Sequence, residues 1–140
     1  MADLTVNITE TITLNGQTQA ETYTQNILGI NYIDTRNLSC PSGSTTELFK
    51  LGNNPGAGQF VTSSFKYGRI SNLSAVPIQL YVSSSTSVSF LISSGSSFIL
   101  STNQTTGSLS TSDFTLDNIY SVSVTPSGAA AQVEYYIATT

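Results

Sequence analysis

The chain has 140 residues, the size of one domain, with charged side chains at 9% and 43 Ser and Thr residues where charge would ordinarily stand. Arg36, Lys50, Lys66 and Arg69 face eight acidic residues for a net charge of −4, which excludes binding a row of nucleic-acid phosphates. Histidine is absent and Cys40 is the single cysteine, which excludes Ser-His-Asp and Cys-His catalysis within one subunit, a zinc set and an internal disulfide.

The opening segment has the clearest pattern. Leu4, Val6, Ile8, Ile12 and Leu14 take even positions, while Thr5, Asn7, Thr9, Thr11 and Thr13 take the odd ones. Period-two alternation of this kind predicts a half-buried strand roughly 35 Å long. Asn15-Gly16 follows, the dipeptide that suits a type I′ hairpin turn. Glu10 interrupts the apolar face and is read as a kink in an ordinary edge strand, the alternative being an edge with a partner beyond it. The first residues show no basic stretch followed by an apolar one, so no signal peptide is expected, and no apolar run is long enough to span a membrane.

Leu28, Ile30 and Tyr32 alternate next, and residues 34–43 read as a loop around Cys40-Pro41. A short strand is predicted over 46–51, then a turn region over 52–58, where three glycines and a proline fall within seven residues. The β pattern resumes over 60–73 with Phe65, Tyr67 and Ile70, and again after Pro77 with Ile78, Leu80 and Val82. Val88, Phe90 and Ile92 mark another strand; 98–100, Tyr120 to Val124, and Val133 to Ile137 mark the rest. The Ser-rich stretches 83–87 and 93–97 read as hairpin tips and outward faces, and 127–132 is the sole, weak candidate for a turn of helix. Eight to ten short strands with frequent turns predict an all-β, antiparallel β-sandwich of one domain, 1–140. Its core is expected to hold Phe65, Tyr67, Ile78, Leu80, Val88, Phe90, Val122, Val124, Val133 and Tyr135.

Chemistry has few carriers. Asp113 and Asp117, if in one strand, share a face about 13 Å apart, too far for a glycosidase pair. In a loop with Asn118 they could approach a calcium ion, against the simpler reading of a solvated loop. No cofactor is implied. Four Asn-x-Ser/Thr sequons, at Asn7, Asn37, Asn72 and Asn103, are about what composition alone gives. The remaining asset is surface: Ser, Thr and Asn lose little rotamer entropy on burial, so a charge-poor surface is readily ordered against a partner. A long N-terminal strand adds an edge that can complete a neighbouring sheet.

Two stretches carry a resemblance. The opening Ala2-Asp3-Leu4-Thr5-Val6-Asn7-Ile8-Thr9-Glu10, continued by Ile12-Thr13-Leu14-Asn15-Gly16, and Lys66-Tyr67-Gly68-Arg69-Ile70-Ser71-Asn72-Leu73 resemble small virion proteins of tailed phages, especially marine and cyanobacterial ones. Gly68 departs from the pattern, which usually has a β-branched residue there. The resemblance implies a capsid decoration (cement) protein on the head exterior, a jelly-roll-like sandwich, often a trimer, with no catalytic residues.

The chain is therefore expected to be a non-enzymatic structural protein, made in the host cytoplasm and placed on the capsid exterior. Its partners would be the major capsid protein and further copies of itself in a homotrimer, with no nucleic acid or membrane. Residues 3–14 would serve as an assembly arm, with Leu4, Val6, Ile8, Glu10, Ile12 and Leu14 at the interface. The alternative is a glycan-binding, host-recognition module of a fibre or tail, using Tyr23, Tyr81 and Tyr136.

Overall fold

β-Branched and aromatic residues that alternate with Ser and Thr let a strand bury one face and wet the other, and the computed structural model is built almost wholly of such strands. It describes residues 2–52, 59–60, 65–83, 87–101, 107–109, 112–114, 119 and 121–140. Among these there is no helix, and the strands in chain order are β1 (Ala2–Leu14), β2 (Gln17–Ile30), β3 (Tyr32–Cys40), β4 (Thr46–Leu51), β5 (Gln59–Phe60), β6 (Phe65–Asn72), β7 (Ile78–Ser83), β8 (Ser87–Ile92), β9 (Ser97–Ser101), β10 (Gly107–Leu109), β11 (Ser112–Phe114), β12 (Ser121–Pro126) and β13 (Ala131–Thr139).

Two sheets make the body. One has the spatial order β3-β13-β6-β9 and is antiparallel; the other runs β5-β4-β12-β7-β8, antiparallel except for the two-residue β5 beside β4. The chain changes sheet repeatedly, since β3, β6, β9 and β13 alternate with strands of the other sheet. The two inner faces meet in one core that includes Phe49, Leu80, Val122, Ile70, Val133 and Tyr135, with Phe49 and Tyr135 edge to face at 5.6 Å. This is the predicted all-β sandwich.

Particular elements differ from expectation. Residues 34–40 are strand, not loop: β3 pairs with β13 from Tyr32↔Thr139 to Cys40↔Ala131. Its Arg36, Asn37 and Ser39 conceal it because an edge strand meets water on several sides. No helical turn forms over 127–132; residues 127–129 bend and β13 starts at Ala131. The 93–97 stretch is no hairpin tip, because β8 belongs to one sheet and β9 to the other. Tyr67 is buried on the outer face of its sheet, apart from the main core, and Val88 is only half-buried. Tyr120 lies outside the described residues.

Gly68 has a physical reason. A Cβ there would stand 3.2 Å from two ring atoms of the buried Phe65, so the absent side chain makes room for that ring. A β-branched residue would add further carbons against it.

Asn72, fully buried, ties the crossing at one end of the sandwich. Its Nδ2 donates to the carbonyls of Val76 (2.8 Å), Ser93 (3.2 Å) and Ile92 (3.3 Å), and its Oδ1 accepts from the Ser74 N–H (3.0 Å). Asn72→Ala leaves these backbone groups without that partner and is expected to cost about 3 kcal/mol, read as a lowered urea midpoint with an unchanged slope.

The Tyr135 hydroxyl donates to Asp34 Oδ2 at 2.8 Å, and Arg36 Nε meets the same oxygen at 3.0 Å. Burial, with the hydrogen bond to Asp34 and its charge added, pushes the phenol from its ordinary value near 10 up to about 12. Between those values the unfolded chain releases the proton and the folded one keeps it, so stability falls as pH rises from 10 to 12. Chemical denaturation across that window should show the loss, and Tyr135→Phe should flatten its slope.

Candidate interaction surface

The first two strands stand apart from the sandwich as their own two-stranded sheet. β1 and β2 pair without a break from Leu4↔Ile27 to Leu14↔Gln17, joined through Asn15 (φ 52°) and Gly16 (φ 77°), the left-handed pair that a type I′ turn requires. The register shifts only between Ala2 and Leu4, so Glu10 marks no kink.

Paired residues project to the same side, which gives the hairpin two distinct faces. One face is polar and internally satisfied: Thr5 donates to Asn26 (3.1 Å), Thr24 to Asn7 (2.9 Å), and the hydroxyls of Thr9 and Thr22 and of Thr13 and Thr18 each meet at 3.0 Å. The other carries Leu4, Val6, Ile8, Glu10, Ile12 and Leu14, the six residues expected at the interface, with Tyr23 opposite Ile8 and Glu21 opposite Glu10.

Only the root of the apolar face is covered. Ile27 (1% exposed) and Ile30, with Leu4 and Val6 beside them, pack on Tyr67, Tyr136 and Ala138 on the outer face of the β3-β13-β6-β9 sheet. Gln25 Nε2 adds a hydrogen bond to Ser101 Oγ at 3.1 Å. Further out the same face meets water: Ile8 is 39% exposed, Ile12 58% and Leu14 65%. Glu10 and Glu21, like charges directly opposite each other, are also exposed, an arrangement that disfavours the isolated hairpin. No Lys or Arg occurs in β1 or β2.

Beside the root lies an open cleft of about 360 Å³ between Leu4 to Asn7 of the arm and Tyr67, Arg69 and Tyr136 of the body. The two tyrosine rings meet edge to face at 6.1 Å, and Arg69 Nη2 donates to Glu134 Oε1 at 2.6 Å. Burial raises the Tyr67 phenol above its ordinary range, against the Arg69 charge that lowers it.

The three tyrosines considered for glycan binding do not converge. Tyr23 is on the arm, Tyr81 in β7 of the five-stranded sheet, and Tyr136 under the arm's root. Cys40 is fully buried, and desolvation raises its thiol, so it is a packed residue without thiolate character. Asp113 lies in β11, opposite Ser108, and Asp117 is outside the described residues. Among the described residues no three His, Cys, Asp or Glu side chains cluster to hold a metal ion. Sequence reasoning missed Glu21, for which Gln17 to Thr22 offer no apolar alternation, the exposed Ile33, and the exposure of Tyr32, a residue assigned to an ordinary strand.

Comparison of the chain with protein-family profiles and with curated proteins finds no match.

Ile27 holds the arm's direction. Ile27→Ala removes most of a fully buried side chain, a loss of about 2–4 kcal/mol at the root. A Glu-specific protease should then cut at Glu10 and Glu21 several times faster, while the sandwich keeps its thermal midpoint to within a few degrees.

Proposed function

We propose that this chain is a non-enzymatic structural protein of a phage virion, a capsid decoration protein that assembles with further copies of itself and grips the major capsid protein on the head exterior. The observation that carries the reading is the arm. A hairpin of 13- and 14-residue strands leaves the sandwich with its outer apolar face uncovered, which a protein that works alone has reason to avoid. Covering Ile8, Ile12 and Leu14 against neighbours supplies a gain that the isolated chain forgoes. A body surface rich in Ser and Thr adds area that is ordered at low entropic cost.

Strand order supports the jelly-roll reading of the sandwich. With β3, β4, β6, β7, β8, β9, β12 and β13 counted one to eight, the sheets run 1-8-3-6 and 2-7-4-5. Two interleaved Greek keys produce that order, and viral capsid proteins are among the hosts of such folds. Fold alone selects no function, since lectin domains share it. The glycan-binding alternative has less support, because Tyr81 lies in the five-stranded sheet, apart from Tyr23 on the arm and Tyr136 under the arm's root.

Under this reading the subunits act as clamps: they bury surface on neighbouring capsid proteins and on one another, and so resist the pressure of the packed genome. Quantitative mass spectrometry of purified particles should find the chain in hundreds of copies. Heads stripped of it should take up the full chain but not a variant in which 8–23 is replaced by a short turn, whose circular dichroism stays that of a β protein. A few dozen copies or fewer would favour a fibre or tail position, and uptake of the shortened variant would refute the arm's role.

A further inference from the structure

We propose that β1 of one copy adds, antiparallel, to the outer edge of β3 in a second copy, with Glu10 beside Arg36 and Leu14 beside Tyr32. The proposal rests on reading the arm as an assembly element, and it names what that element grips.

Both edges are open among the described residues: β1 belongs to a two-stranded sheet and β3 is the outer strand of its own. Neither strand contains Lys or Pro, the residues that ordinarily guard an edge against pairing with another chain. The chemistry is complementary. On the arm's exposed face β1 is apolar around Glu10, β2 carries Gln17, Gln19, Glu21 and Tyr23, and the face holds no cation of its own. It therefore fits a strand that offers both large apolar side chains and a positive charge. Among the described strands, β3 alone offers them on one face: Tyr32 is 68% exposed, Leu38 is half-buried, and the Arg36 side chain is 53% exposed.

The spacing agrees. Four residues separate Glu10 from Leu14 and likewise Tyr32 from Arg36, about 13 Å along either extended strand. One antiparallel register therefore makes both pairs at once, and it sets Ile8 beside Leu38. Asp34 falls opposite Ile12 in this register, with its Oδ2 engaged by the Tyr135 hydroxyl and the Arg36 guanidinium. The receiving edge belongs to another copy because β3 begins one residue after β2 ends, at the arm's root. The tip lies about 44 Å of extended strand away from its own β3. Donor and acceptor surfaces differ, so the contact is head-to-tail: every copy gives one edge and takes one, in a ring or an open filament as the rotation between copies dictates.

The test is sedimentation equilibrium of the full chain, whose monomer mass is 14.8 kDa, beside Glu10→Arg, Arg36→Glu and the double variant. The wild type is expected to self-associate, each single reversal should weaken that self-association about tenfold or more, and the double variant should restore it. Glu10 is exposed on the arm, so its reversal stays informative even if Arg36→Glu perturbs the body. A monomeric wild type, or an oligomer indifferent to both reversals, overturns the contact; a monomer that still attaches to heads does so while leaving the decoration reading standing. An oligomer that responds to the charges as described but ignores heads upholds the contact and removes the decoration reading.

Discussion

The contact on which the rest depends is small: Leu4, Val6, Ile27 and Ile30 seated on Tyr67, Tyr136 and Ala138. A two-stranded hairpin alone is marginally stable in water, because it has no second layer on which to bury a face. Here the second layer exists only at the root, where the outer face of the β3-β13-β6-β9 sheet offers the rings of Tyr67 and Tyr136. Anchored there, the hairpin is directed outward with its register fixed by the Asn15-Gly16 turn and by four cross-strand side-chain hydrogen bonds on its polar face. Its apolar face is left for something else to cover.

The sandwich supplies a rigid base for that lever. Tyr135 links the core to the edge strand through Asp34, and Asn72 pins the crossing between sheets by satisfying three carbonyls and one N–H. Replacing Asn72 by an apolar side chain would orphan buried backbone groups, whereas the part-buried Asp34 keeps Arg36 as a second partner. The body is built from short strands and tight crossings, and the long unsupported element is confined to one place. That division suits the assembly role proposed for the chain.

How much of this was legible in the sequence depends on where each strand meets water. β7, β12 and β13 declare themselves because one face is fully buried, so Ile78-Leu80-Val82, Val122-Val124 and Val133-Tyr135-Ile137 alternate cleanly. β3 hides because it is an outer strand, and its Asp34, Arg36, Asn37 and Ser39 imitate a loop. β2 hides for the opposite reason: Gln17 to Thr22 project from the body with nothing to bury against, so no alternation was needed. The six arm residues were legible as one face of a strand, but periodicity reports that a face is apolar without saying what covers it. Glu10 was legible as a break in that face, but its opposition to Glu21 required the register.

Hydrogen–deuterium exchange over residues 8–23, measured on the free chain and on the same chain in its assembled state, tests the central claim most directly. The account predicts exchange at least about tenfold slower on assembly, confined to the arm and the surface that receives it, while the core strands stay as they were. Equal exchange in both states would contradict it, because the arm's apolar face would then remain uncovered in the assembly it is said to build.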